Sequence, residues 1–197
     1  MFLSDKDIHA AVKNGEITLE PFDQKRLQPA SYDIRLGNTF IVNDAHAIKA
    51  IDPAKGIYPQ TQTIEVPDGG EFVLHPGVSI LGYSKEQFGS DSYLIEVNGK
   101  SSLARIGLIV HNSASIVNPG HILNIALELC NLNNVPIVLR PGMEVAQLSF
   151  STLSSNTKKS YKQTGRYHQN NFLGYVPPKH GPLARKKVTK KATKNKK

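Results

Sequence analysis

A chain of 197 residues, 39% of them hydrophobic, is long enough for one ordinary domain with a real core plus extensions, and short for two. Its formal charge is +8, but nine of the 24 Lys and Arg fall in Lys179–Lys197, a stretch with no acidic residue, so the body holds 15 basic against 16 acidic side chains. That split excludes global basicity as a sign of a nucleic-acid-binding domain and confines it to the tail.

The N-terminus, "MFLSDKD", is charged by its fifth residue, and no later apolar run approaches the ~18 residues a helical span needs, so a cytoplasmic protein without membrane contact is expected. Ser4, with Asp7 three residues on, reads as a capping box that opens a short amphipathic helix through Ile8, Ala11 and Val12, and Gly15 stands where a C′ residue would stop it. Beyond the helix, Gly and Pro punctuate the chain ("EPFDQKRLQPASYDIRLGN", "VPDGGEF", "LHPGVS", "NPGH", "RPGME"). The β-branched and aliphatic runs between them predict strands at Phe40–Val42, Glu71–Leu74, Val78–Ser84, Tyr93–Val97, Leu108–His111, His121–Leu132, Ile137–Leu139 and Val145–Leu153. Many short strands with close turns predict a mainly β sandwich, jelly roll or barrel rather than a parallel sheet with helical crossovers. The polar, aromatic-dotted "SSNTKKSYKQTGRYHQNN" reads as a mobile arm that orders on a partner or ligand. The expected organisation is a β domain over 1–153, an arm over 154–178 and a disordered, solubilising basic tail over 179–197. Weak contact of that tail with nucleic acid or anionic surfaces, or a targeting signal, is the alternative.

Within "LNIALELCNL", alternation sends Ile125, Leu127 and Leu129 to one face and Ala126, Glu128 and Cys130 to the other, and both faces are expected to be largely buried. A carboxylate in such a strand must be paired, hydrogen-bonded or proton-shifted, so Glu128 has either a structural partner or a chemical task. Cys130, the one cysteine, allows no internal disulfide or thiolate metal cluster and reads as a small packed hydrophobe. In "NGKSSLARIGL", Gly99 permits a turn, Lys100 supplies charge, and Ser101 and Ser102 supply hydroxyls and amides at the start of a helical turn through Leu103, Ala104 and Arg105. The turn either cradles an anion or is a plain capped turn with Arg105 on a surface carboxylate. Beside a buried Glu128, Arg105 could also keep that carboxylate charged or polarise a substrate. A zinc nucleobase deaminase needs H-x-E and P-C-x-x-C, and neither occurs. P-loop, G-x-G-x-x-G and H-E-x-x-H patterns are missing too, and His111 and His121 read as packing or strand-end residues rather than ligands.

"LSDKDI", "LQPASYDIRLGNTF", "LHPGVSILG", "GKSSLARIGLIVH", "NPGHILNIALELCN" and "RPGMEVAQLSF", in that order, resemble the pattern of the dCTP deaminases, members of the trimeric dUTPase-like superfamily. The resemblance runs from Met1 to about Asn170 and omits the basic tail. It implies a distorted β-barrel or jelly-roll subunit in a homotrimer, with each active site built between neighbouring chains and closed by the C-terminal arm. The implied reaction is zinc-independent hydrolysis of dCTP to dUTP and ammonia, a hydrolase acting on a cyclic amidine in pyrimidine deoxynucleotide supply. Glu128 matches the family's catalytic glutamate, which relays a proton from water to the pyrimidine. Ser101 and Arg105 match its serine and arginine, with Ser102 beside them, and Lys100 stands where a triphosphate contact is expected. Ala114 matches the alanine whose backbone helps hold the water. Tyr161, Arg166 and Asn170 fall roughly on arm positions that contact nucleotide, where the family pattern is nearer to Lys and Gln, and Mg²⁺ would travel with the triphosphate.

Three departures from the pattern stand out. Ile116 replaces the arginine of simple deaminases and the aromatic residue of bifunctional ones. Asn118 replaces the aspartate that contacts the sugar and, in diphosphatase members, positions water; an amide still hydrogen-bonds but is no base. Leu123 replaces a glycine and is expected to crowd the place where strand and ligand meet. The alternatives left open are a bifunctional deaminase–diphosphatase or dUTP diphosphatase, and a non-catalytic nucleotide-binding relative.

Overall fold

In the computed structural model, which describes residues 1–44 and 48–168, the chain begins as its first residues dictate. The Ser4 side chain accepts the Asp7 amide and the Asp7 carboxylate accepts the Ser4 amide, closing the box that starts α1 (Asp5–Lys13). Ile8 and Ala11 are buried, and Gly15, at φ +76°, makes the left-handed turn that ends the element after Asn14.

The strands are β1 (Ile17–Glu20), β2 (Leu27–Gln28), β3 (Ser31–Asn43), β4 (Thr61–Glu65), β5 (Phe72–Leu74), β6 (Ser79–Ser90), β7 (Tyr93–Gly99), β8 (Leu108–Ile109), β9 (Ile116–Val117), β10 (Leu123–Asn131), β11 (Ile137–Leu139) and β12 (Glu144–Thr152). Between β7 and β8 lies α2 (Ser101–Ala104), and α3 (Tyr161–Thr164) follows β12. One sheet runs β8-β10-β6-β3-β12-β7-β9, with β1 added on β6 and β2 and β4 on β3; β11 and β5 form a second, two-stranded sheet. The expected strands are present, with β3 and β6 longer than predicted and β8 shorter. Sequence reading misses β1, β2, β4 and β9. Two of these are only two residues long, and β4, "TQTIE", exposes four of its five residues, so hydrophobic alternation gives little signal.

Strand β3 produces the curl. Its first half, Tyr32–Arg35, pairs with β12, whereas Leu36–Ile41 pairs with β6, and the register breaks between Leu36 and Phe40. At this crossing Gly37 lies so close to β6 that a Cβ would sit 3.0 Å from the Tyr83 carbonyl oxygen. The enclosed core includes Tyr32, Ile34, Leu36, Phe40, Phe88, Leu127, Leu129, Leu148 and Phe150. Each of its large aliphatic and aromatic side chains contributes roughly 1.5–3 kcal/mol by leaving water. The fold is the mainly β, curled half-barrel expected, with its short N-terminal helix.

Strand β10 lies antiparallel to β6, with Glu128 opposite Leu81 and Leu127 opposite Gly82. Its alternation holds, but not the expectation that both faces are buried: Ile125, Leu127, Leu129 and Asn131 are buried, while Ala126, Glu128 and Cys130 are half-buried within the chain. At the near end a bulge between Asn124 and Ala126 is pinned by Ser84, whose Oγ accepts the Ile125 amide at 2.9 Å and donates to the Glu86 carbonyl at 2.7 Å. Leu123 packs against the core and is not among the residues lining the cavity around Glu128.

Candidate active site

The open face of β10 forms one wall of a cavity of about 520 Å³. Ala126 and Glu128 come from β10 and Leu81 from β6, while Ala114, Ile116, Asn118 and His121 come from the segment leading into β10. Tyr161 and Tyr167 of the arm and Ile51 and Tyr58 of the segment before β4 complete it. Glu128 is the one carboxylate among the lining residues. Its Oε2 accepts a long hydrogen bond, 3.4 Å, from the Asn112 amide, and no ion pair to it forms among the described residues. A half-buried carboxylate in an apolar wall, with lone pairs left open, is equipped to hold water and move a proton.

The lining loop is held to the sheet by the Val97 amide, which donates to the Ser115 carbonyl at 2.8 Å. Ser113, just before Ala114, has φ +68°, a left-handed backbone uncommon for a residue with a Cβ, and Ala114 is exposed beside it. Asn118 is exposed to the cavity through its side chain and accepts the His121 amide at 3.0 Å through its carbonyl. Ile116 is 56% exposed on β9 and supplies an apolar surface where the resemblance led to an arginine or an aromatic ring.

Lys100, Ser101 and Ser102 lie elsewhere, lining an open depression of about 500 Å³ with Gln28, Asp33 and Gln147. The two recesses share no lining residue. The expected helical turn is α2, preceded by Lys100 and followed by Arg105. Lys100 is clamped: its Nζ is 2.7 Å from Asp33 and 2.7 Å from Glu144, and Glu144 also meets Arg26 at 2.7 Å. Partial burial pulls the Lys100 pKa down, but the hydrogen bonds to Asp33 and Glu144 outweigh it and raise it above its ordinary 10.5. The Lys100 hydrogen bond in turn lowers the pKa of Glu144. Arg105 is exposed and rests on no carboxylate among the described residues.

A single chain therefore brings Glu128, Ala114, Asn118 and Tyr161 together, and separately Lys100, Ser101 and Ser102. Arg105 and the half-buried Arg166 line neither recess, and Asn170 lies outside the described residues. Sequence reading missed the Lys100 clamp, whose carboxylates come from residues 33 and 144, and the wall made by Ile51, Tyr58 and Tyr167. His121 packs as expected, with its ring centroid 4.2 Å from that of Tyr161 and the planes 17° apart. Burial pushes its pKa down to about 4, with the charge of His168 adding to the effect. No three His, Cys, Asp or Glu side chains among the described residues come together as a metal-holding group, and no helix there is long and apolar enough to cross a membrane.

Comparison with known proteins agrees with this architecture. The dCTP deaminase-like family model matches residues 2–153. A protein of Corynebacterium jeikeium named "dCTP deaminase, dUMP-forming" is 42% identical over 82% of this chain and 86% of its own length. One of the same name from Tropheryma whipplei is 44% identical over 82% and 83%. In three dimensions the chain is similar to the crystal structure of 2'-deoxycytidine 5'-triphosphate deaminase from Agrobacterium tumefaciens, with TM-score 0.60 and 22% identity. That likeness bears on the fold alone and covers 77% of this chain and 48% of the other, so this chain spans about half the length of that structure. With the family model spanning most of its length and relatives above 40% identity, the chain belongs to the dCTP deaminase-like family.

Proposed function

We propose that this protein deaminates dCTP by hydrolysis, with Glu128 as the acid–base residue. The observation that carries this reading is the solitary Glu128 carboxylate on an otherwise uncharged cavity wall, held by one backbone amide. Water bound beside it attacks C4 of the pyrimidine. Glu128 takes one water proton and passes it to N3 as C4 becomes tetrahedral; it then takes the remaining proton of the new C4 hydroxyl and gives it to the amino group, so that the C4–N bond breaks, C4=O forms and ammonia leaves. The Ala114 backbone, beside the left-handed Ser113, helps hold the water, and the Asn118 amide hydrogen-bonds the sugar hydroxyl. Ile116 and Tyr58 give the ring an apolar wall.

Ser101, Ser102 and Arg105 complete the site from a neighbouring chain of a homotrimer. This is supported by the place of Ser101 and Ser102 in a recess apart from Glu128 and by the exposed Arg105, which has no ion-pair partner among the described residues. Arg105 and Ser101 would stabilise developing charge and the phosphates, and Lys100 would reach the triphosphate with the one N–H its clamp leaves open. Mg²⁺ would arrive on the triphosphate oxygens, and the arm, with Tyr161, Arg166 and Asn170, would close over the nucleotide. The expected setting is the cytoplasm.

The fate of the triphosphate separates two readings. Release of dUTP is favoured by Asn118, since no carboxylate stands there to serve as a second base. Continuation to dUMP is favoured by the names of the relatives in Corynebacterium jeikeium and Tropheryma whipplei, both dUMP-forming. One incubation with dCTP and Mg²⁺, following ammonia, dUTP, dUMP and pyrophosphate together, decides between them. Nucleotide binding without ammonia would discard both deaminase readings. Shared sites are tested by mixing: Glu128→Gln and Arg105→Gln chains, each inactive alone, should regain about a quarter of the native activity when reassembled in equal amounts into trimers. No recovery after verified subunit exchange counts against a site between chains.

A further inference from the structure

We propose that His121 is a positioning residue whose imidazole face seats Tyr161 and thereby latches the base of the C-terminal arm onto the wall of the Glu128 cavity. The latch rests on the deaminase reading only for what the cavity binds.

Three consecutive residues before β10 receive three consecutive residues of the arm. The Tyr161 amide donates to the Pro119 carbonyl at 2.9 Å. Gly120, at φ +88°, presents bare backbone, where a Cβ would collide with Ser160 Oγ and stand 3.1 Å from the Tyr161 nitrogen. His121 lies flat against the Tyr161 ring, and the Gly165 backbone closes on the same ring so tightly that a Cβ there would collide with it. Lys162 then pairs with Asp91 at 2.9 Å. The contacts converge on Tyr161 and leave it as a wall of the cavity that holds Glu128.

His121 is only 8% exposed, yet its Nε2 is buried without a hydrogen-bond partner among the described residues. What the ring supplies is therefore its face. Stacking suits the neutral imidazole, and burial, reinforced by the charge of His168 on the arm, keeps it neutral by pushing its pKa from 6.5 to about 4. Tyr161 and His168 are the titratable groups of the arm near it, and Glu128 and Tyr167 line the same cavity. When the arm lifts, the ring returns to water and to its ordinary value. The undocked state then binds the proton more readily, so docking is fully present above 6.5 and weakens as pH falls toward 4. Docking is therefore weaker at pH 5 than at pH 8.

The test measures hydrogen exchange at the Tyr161 amide in the full-length protein without nucleotide, alongside dCTP kinetics. His121→Ala should lose about tenfold in protection there, with KM for dCTP raised about tenfold and kcat within about threefold, while His121→Phe, which keeps a flat neutral face, restores both. Protection at the Leu127 amide, unchanged in each variant, verifies the fold. Between pH 8 and pH 5, native protection corrected for intrinsic exchange should fall severalfold, and that of His121→Phe should not. Unchanged Tyr161 protection in His121→Ala, or an equal loss in His121→Phe, overturns the latch. If native protein fails to turn over dCTP while the exchange pattern appears, the latch stands and the deaminase reading falls.

Discussion

Glu86 and Glu128 lie on paired neighbouring strands, β6 and β10, and have opposite surroundings. Glu86 is fully buried, and each of its oxygens accepts a short hydrogen bond: Arg35 Nε reaches one at 2.6 Å and the Arg35 amide reaches the other at 2.8 Å. Glu128 is half-buried and has one long contact, with no cation among the described residues. A carboxylate that only holds a fold together must have its lone pairs satisfied, because burial penalises it otherwise. One that is to bind water and exchange a proton must keep them open. The difference supports the proposal that Glu128 is the chemical group and Glu86 the structural one.

Substitution should divide the two cleanly. Glu128→Gln keeps the shape and removes the base, so deamination should fall about 10³-fold, with nucleotide affinity held within about tenfold and stability within about 1 kcal/mol. Near-native ammonia release in this variant would reverse the assignment. Glu86→Ala strands the Arg35 guanidinium, so it should cost about 3–5 kcal/mol in urea unfolding, while the folded fraction keeps its turnover. If Glu86→Ala instead removed turnover from well-folded protein, the division of labour would be wrong. Asn118→Asp sharpens the comparison by adding a second carboxylate to the cavity wall. If the amide is what limits diphosphate cleavage, the dUMP share of product should rise about tenfold, and an unchanged ratio would place the limit elsewhere.

The parts legible in the sequence are those written locally. Ser4 and Asp7 are three residues apart and name their own helix, and Ile125, Leu127 and Leu129 alternate strongly enough to name the buried face of β10. Alternation does not say what covers the other face, and there the expectation of a largely buried face gives way to a half-buried one: Glu128 faces a cavity. Glu86 was missed because "SKEQ" is polar at every position, so nothing in the run marks one carboxylate as fully buried. The Lys100 clamp joins residues 33, 100 and 144, whose meeting depends on β3, β7 and β12 being neighbours, which no short window contains. The catalytic assignment of Glu128 came from family resemblance; composition and period alone led only to a carboxylate needing a partner or a task.

A third carboxylate tests the comparison at its weak end. Glu144 has a cation at 2.7 Å, as short a contact as many buried pairs, but its side chain is 41% exposed. Geometry alone would rank it with Glu86. Solvent screening ranks it far lower, so Glu144→Gln should cost no more than about 1 kcal/mol at pH 7. The pH dependence has a definite sign. The Lys100 hydrogen bond depresses the pKa of folded Glu144 below its ordinary 4.5, so the native advantage over Glu144→Gln is full above that value and closes as pH falls through the lower, folded one. Urea midpoints for the two proteins at pH 7, 5 and 4 measure it, with the gap beginning to narrow only in the last step. A gap of several kcal/mol at pH 7 would mean that exposure does not weaken this pair, and the contrast between Glu86 and Glu128 could no longer be attributed to burial and lone-pair satisfaction.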